Sequence, residues 1–407
     1  MWKRSRLTAL IAVLGGLVAI GVALTIVARP GAVLAGQTPA SAHPATYAVA
    51  ADLDACGQGW GEGANAHVPG GDQTFTVTNH TVAGIEVYLQ AVDTNKVYLD
   101  LESLGAAAHA TARATLGAGR YRFICLPADA DPVRGPTVTV GSPPHSAQLT
   151  PGIVPVTRND LIPVAKAYGT WVSSRIPVLR QQVARVGEDA SEGDLAAARR
   201  DWLTAHLTYE TLGAAYGSFG DLDTAINGMP GPGLTAATDT KLTGFHRVEG
   251  LLWSGAPAAA VAAAVGPLAA AVGRLGAAFA DAEVDPLDVG LRAHEIVENA
   301  IQFDLTGSAD TGSGTELASI DAELTGAGQA LAQLHGILSS RYDQLATTTS
   351  SLASSHRLIE TFRHADGTWV PLAHVSRPDR ERIDASLGAT VELLAPVAAI
   401  CDIRRGT

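Results

Sequence analysis

His246 and Glu249, inside Gly244-Phe245-His246-Arg247-Val248-Glu249-Gly250, have the spacing that speaks most directly of chemistry. On a helix, positions i and i+3 share a face. An imidazole and a carboxylate placed that way can hold one metal ion from a single helix, as Glu-x-x-His pairs do in helical bundles. A hydrogen-bonded pair closing a core uses the same two residue types, and an isolated H-x-x-E arises often by chance. Two other segments repeat the theme. His206 and Glu210 are i and i+4, with Asp221 and Asp223 soon after. Glu295 and Glu298 are i and i+3, and His294 and Glu298 are i and i+4. Each pair alone reads as a solvated face or an ion pair with Arg199, Arg200 or Arg292. Three such pairs in an Ala-rich chain with only 17% charged residues point further. Carboxylates buried together are costly unless a cation compensates them. Oxygen and imidazole donors suit iron, manganese or zinc.

Hydrolytic motifs fail on inspection. His294-Glu295-Ile296-Val297-Glu298 has Glu298 where a zincin needs its second His. Tyr216-Gly217-Ser218-Phe219-Gly220 misplaces a glycine for a nucleophile elbow. No P-loop or convincing dinucleotide fingerprint occurs. Farther upstream, Cys56, Cys125 and Glu86 allow two readings. One is a disulfide, which an oxidising compartment favours. The other is a metal site using thiolate and carboxylate. A blue-copper centre would want two His and a Cys; His67, His80 and His109 are present, but no His-rich run flanks Cys125. Cys401 reads as a buried free thiol.

These residues need elements to hold them. The chain has 407 residues, so two or three folded units are expected. Its 28 Lys+Arg against 40 Asp+Glu give a net charge of -12, and without a basic stripe it is a poor nucleic-acid binder. Lys3, Arg4 and Arg6 precede an uncharged apolar run over 7–28, long enough at about 1.5 Å per residue to cross a bilayer as a helix. The basic flank puts the remainder outside the cytoplasm. An uncleaved anchor over 1–30 is the expectation, with signal cleavage after Ala40-Ser41-Ala42 as its rival. A tether follows over 31–46.

Over 47–141, short β-branched and aromatic runs alternate with turns: Thr74-Phe75-Thr76-Val77-Thr78, Ile85-Glu86-Val87-Tyr88-Leu89, Tyr121-Arg122-Phe123-Ile124-Cys125 and Thr137-Val138-Thr139-Val140. That pattern predicts a small β-sandwich. A proline-rich linker spans 142–156. From 157 to 407 the texture is helical, with predicted helices over 161–186, 194–218, 241–253, 257–282, 286–305, 315–346 and 377–403. Thr157 with Asp160, Ser191 with Asp194, and Ser313 with Glu316 match the capping-box pattern, and Asp285-Pro286 marks another start. Such helices with short connections predict one bundle or two packed together.

The segment 244–253 resembles the G-x-H-x-x-E signature of imelysin-like proteins, and within them the EfeO-like components of iron-uptake systems. Segments 202–216, 219–228, 291–298 and Leu305-Thr306-Gly307 support the likeness. Asn79-His80, Glu86 and the strand 121–125 resemble the cupredoxin-like domain that such proteins carry upstream. The likeness runs from about Asp52 to Cys401. It departs at the N-terminus, which looks anchored rather than periplasmic, and at 356–374, which has no clear counterpart. The resemblance implies a multidomain α+β chain: a cupredoxin-like sandwich followed by an all-α imelysin-like double bundle. It implies capture of Fe2+ or Fe3+, with Zn2+ as another cation for the site, and delivery to a membrane iron permease alongside a haem peroxidase. His246 and Glu249 would be primary ligands, joined by Glu210, Asp223 and Glu295, with His206 and Glu298 as further candidates. Glu86, Cys56 and Cys125 would form an auxiliary site, for Cu2+ among other ions. Binding without catalysis is the expectation; a metallopeptidase, or a ferroxidase on the same ligands, is the alternative.

Overall fold

The computed structural model describes residues 45–61, 66–128, 130–280 and 282–404. The apolar run at 7–28, and with it the anchor expectation, lies outside these residues.

Among the described residues, nine strands come first: β1 (Ala45–Ala51), β2 (His67–Val68), β3 (Gly71–Asn79), β4 (Ile85–Ala91), β5 (Val97–Leu104), β6 (His109–Leu116), β7 (Gly119–Pro127), β8 (Val133–Arg134) and β9 (Val138–Val140). They form two sheets. One has the order β1-β3-β6, with β1 parallel to β3; the other has the order β2-β9-β7-β4-β5, with β8 added to β7. The inner faces share one core of Val49, Phe75, Val77, Val87, Leu89 and Phe123. Trp60 meets Phe75 and Phe123 edge-on at 5.6 and 5.4 Å, and its buried indole N–H donates to Gln73 Oε1 at 2.9 Å. This is the expected sandwich.

The auxiliary metal site is not built. Cys56 and Cys125 are joined in a disulfide, so neither thiolate is available to copper or any other ion. Register also removes Glu86. Val87 pairs with Cys125, and Glu86 with Leu126. Side chains alternate across a sheet, so Glu86 leaves the face opposite to Cys125 and accepts a hydrogen bond from the Tyr88 hydroxyl at 2.6 Å.

The helical part comprises α1 (Arg158–Glu192), α2 (Leu195–Glu210), α3 (Tyr216–Phe219), α4 (Asp221–Asn227), α5 (Gly244–Trp253), α6 (Ala258–Ala278), α7 (Pro286–Asn299), α8 (Glu316–Leu338), α9 (Leu345–Glu360) and α10 (Arg377–Cys401). Helix α1 packs on α2 and α6, and α5 on α2 and α6; α7 packs on α8 and α10, and α9 on α8 and α10. Contacts of α1 with α7 and α8, and of α2 with α8, join the two groups. The Thr157–Asp160 capping box is formed. Ser191 instead belongs to α1, its hydroxyl bonded to Gly187 O, and Asp194 itself caps α2 by accepting from Ala197 N. At the start of α8 the N-cap is Thr315, without a side-chain cap bond. The helix expected over 315–346 ends at Leu338, α9 is not among the expected helices, and the helix expected over 194–218 stops at Glu210.

Backbone and side chains tie the two parts together. Val97 and Ile153 exchange backbone hydrogen bonds. Arg341 Nε donates to Val154 O at 2.9 Å, and Arg404 N donates to Val156 O at 2.8 Å. Arg404 also reaches Asp100 at 3.0 Å and Glu102 at 2.6 Å on β5.

Candidate metal centre

Helix α5 begins where only glycine fits. Gly244 has φ +85°, and a Cβ there would lie 2.2 Å from Ile226 O. Two residues later, His246 Nδ1 stands 3.1 Å from Glu249 Oε2, both side chains almost fully buried. Glu249 is fixed from the opposite side by the loop before α8. Thr311 N and Ser313 N donate to its Oε1 at 3.2 and 3.0 Å, and the Thr311 hydroxyl donates to Oε2. Burial alone would raise this carboxyl's pKa. The bond to and charge of His246, with Ser313 and Thr311, outweigh it and bring the value down to about 2.

Helix α2 supplies the second pair. His206 Nε2 lies 2.9 Å from Glu210 Oε1 and 3.2 Å from Asn227 Oδ1. Asn227 Nδ2 donates to Glu210 Oε1 at 2.8 Å, and the Tyr216 hydroxyl donates to Oε2 at 3.2 Å. The His206 ring stacks on Trp202 at 4.9 Å and meets the His246 ring at 5.6 Å. Burial works against charge on His206, but the Glu210 carboxylate prevails and raises its pKa. Nδ1 of His206 is buried without a hydrogen-bond partner.

Both pairs open into one cavity of about 290 Å³. Asp304, Asp310, Glu316 and Glu323 line it as well. Burial, followed by the charge of Glu210, pushes Asp304 well above the ordinary carboxyl range. Burial, then the charge of Asp304, does the same to Glu323. Oε2 of Glu316 and Oε2 of Glu323 are buried and lack hydrogen-bond partners. Met229 and Phe303, each about half exposed, also line the cavity and bring it to solvent. Six carboxylates and two imidazoles around one space form a donor set for a hard or borderline cation. The orphaned oxygens and ring nitrogen are what such an ion would satisfy.

Of the residues singled out by spacing, His206, Glu210, His246 and Glu249 meet here; Asp223, Glu295 and Glu298 do not line the cavity. Asp223 accepts from the Tyr209 hydroxyl, and α4 presents Asn227 from its other end instead. Glu295 pairs with Arg292 at 2.9 Å on a half-exposed face, because α7 buries Val289, Ala293, Ile296 and Val297. Glu298 accepts from Gln302 at 3.1 Å. Asp304 arrives through the wider i+5 turns of Ala300–Asp304 that extend α7, a distortion often found at functional sites. Asp304, Asp310, Glu323 and Asn227 carry no usable local signal in the sequence, and the pattern there marks Glu316 only as part of a cap.

Fold and site define a double helical bundle with a buried His/carboxylate cavity, preceded by a β-sandwich. The chain belongs to the imelysin family, whose peptidase-family model matches residues 164–397. It is similar to the iron uptake system component EfeO of Yersinia pestis, 24% identical over 341 residues, covering 82% of this chain and 86% of that protein. The same component of Yersinia pseudotuberculosis is 23% identical over the same coverage. The iron uptake system component EfeM of Pseudomonas syringae is 22% identical over 243 residues, 58% of this chain and 83% of the relative.

Proposed function

We propose that this protein is an extracytoplasmic iron-capturing component of an uptake system, with Fe2+ or Fe3+ as its cargo. The observation that carries the reading is the cavity. Its buried carboxylates exceed what its two imidazoles can neutralise, and three of its polar atoms lack protein partners. His206, Glu210, His246 and Glu249 would hold the ion, with Asp304, Asp310, Glu316 and Glu323 as further oxygen donors. Asp223 would act from outside the cavity, through the Tyr209 hydroxyl that donates to it. Release would feed a membrane permease, with a haem peroxidase in the same system; the names of the relatives support membership of such a system. The N-terminal apolar run would keep the chain at the membrane.

The test is iron binding and iron-dependent thermal stabilisation of the wild type against the H246A/E249A double variant. Anything that binds only the folded state stabilises it by mass action. The wild type should take up iron and gain thermal stability, and the double variant should do neither while remaining folded. Unchanged iron affinity in the double variant would sink the reading. The family's peptidase label favours one rival, a metallopeptidase. A hydrolytic site needs an open metal position and a positioned general base. Peptide turnover by metal-loaded wild type that vanishes in His246→Ala would replace capture by catalysis.

A further inference from the structure

Helix α8 has a second set of donors. Glu316, Ser319 and Glu323 line the cavity, but Asp321 does not; it meets α9, where His356 and Glu360 stand at i and i+4. One oxygen of Asp321, one ring nitrogen of His356 and one oxygen of Glu360 all lie within 4.8 Å of one another. His356 Nδ1 is 2.7 Å from Asp321 Oδ1. Two donors about 2.1 Å from one ion sit about 3.0 Å apart at right angles and about 3.4 Å apart in a tetrahedron. Small side-chain rotations would bring these three atoms to such separations. The side chains of His356 and Glu360 are 42% and 37% exposed and that of Asp321 17%, so water could complete the shell.

We propose that Asp321, His356 and Glu360 form a second, solvent-open site for a divalent transition ion such as zinc, apart from the buried cavity. One imidazole and two carboxylates from two packed helices make a borderline donor set. Anchoring His356 and Glu360 on one helical face fixes two donors before the ion arrives. Arg363 stands against it: its guanidinium lies 3.4 Å from Glu360 Oε1 and must yield when an ion binds. The site is therefore weaker than its donors alone would make it, and removing that guanidinium should strengthen it. The inference does not depend on what fills the cavity.

Zinc titration by calorimetry tests it, first with the full chain carrying H246A/E249A and, should that variant not fold, with the wild type. The H246A/E249A chain should bind one zinc ion. Adding His356→Ala should weaken that binding at least as much as the ~10–100-fold that loss of an outer partner of a ligand costs. Arg363→Ala should tighten it. In the wild-type chain, His356→Ala should lower the zinc stoichiometry by one and leave cavity-dependent iron stabilisation intact. Zinc affinity and stoichiometry unchanged by His356→Ala, or weaker binding in Arg363→Ala, would overturn the site. Equal iron binding by wild type and H246A/E249A would instead overturn the cavity reading and leave this one standing.

Discussion

Glu323 shows how the cavity stores repulsion. It is buried, its Oε2 has no hydrogen-bond partner, and Asp304 and Glu210 are the charges that act on it. Among the described residues, no arginine or lysine lines the space. Glu323→Gln keeps the shape and removes one ionisable group. In the metal-free protein it should raise thermal stability, by roughly 1–2 kcal/mol if the buried oxygens count as unpaired polar groups usually do. The same variant should gain less from added iron. A metal-free stability below wild type, read by thermal unfolding, would show that Glu323 is paired rather than strained. This residue also marks the limit of sequence reading. His206 with Glu210 and His246 with Glu249 were legible because each pair is made on one helix. Glu323 and Asp304 become partners only when α8 and the end of α7 close over α2. The same local rule that found the true pairs also picked out Glu295, whose i−3 neighbour Arg292 neutralises it outside.

At the level of elements, the H-x-x-E pair depends on the backbone that starts its helix. A side chain at Gly244 would need a left-handed backbone and would strike Ile226 O. Gly244→Ala should therefore cost about 1–3 kcal/mol of stability and weaken iron binding, since α5 must shift to admit the methyl group. Chemical denaturation and iron titration of the variant check both; wild-type values in each would show that the glycine is incidental. The signature glycine was visible in the sequence, but not its reason, which lies in α4. The break between α8 and α9 was not visible at all. No glycine or proline marks residues 339–344. The turn is held by distant groups, with the Tyr342 hydroxyl donating to Leu393 O at 2.7 Å and Arg341 to Val154 O. The strands legible in the sequence are those rich in β-branched and aromatic residues. Strand β6, His-Ala-Thr-Ala-Arg-Ala-Thr-Leu, is too Ala-rich to stand out and is fixed by its full antiparallel register with β3.

At the scale of the molecule, the proline-rich stretch read as a linker is instead pinned at Ile153, Val154 and Val156, and Arg404 closes the junction. That guanidinium is shared among Asp100, Glu102 and Asp402. Asp100 gains too little from it. Burial first, then the nearby charge of Glu86, raise its pKa to about 6 despite Arg404. The consequence for stability has a definite sign. Below about pH 4 the carboxyl is neutral in folded and unfolded chains alike, and no penalty exists. As pH rises from there to 6, the unfolded chain ionises while the folded one keeps its proton, so stability is lost; above 6 the loss is complete, at up to about 3 kcal/mol. Asp100→Asn removes this dependence, while Arg404 retains Glu102 and Asp402. Between pH 5 and pH 7 the wild type should therefore lose about 1–2 kcal/mol more stability than Asp100→Asn. Urea unfolding of both proteins at the two pH values measures the difference directly. Parallel pH profiles would show that Arg404 compensates the buried carboxylate in full, and that the junction is an ordinary ion-pair network rather than one that tightens on acidification.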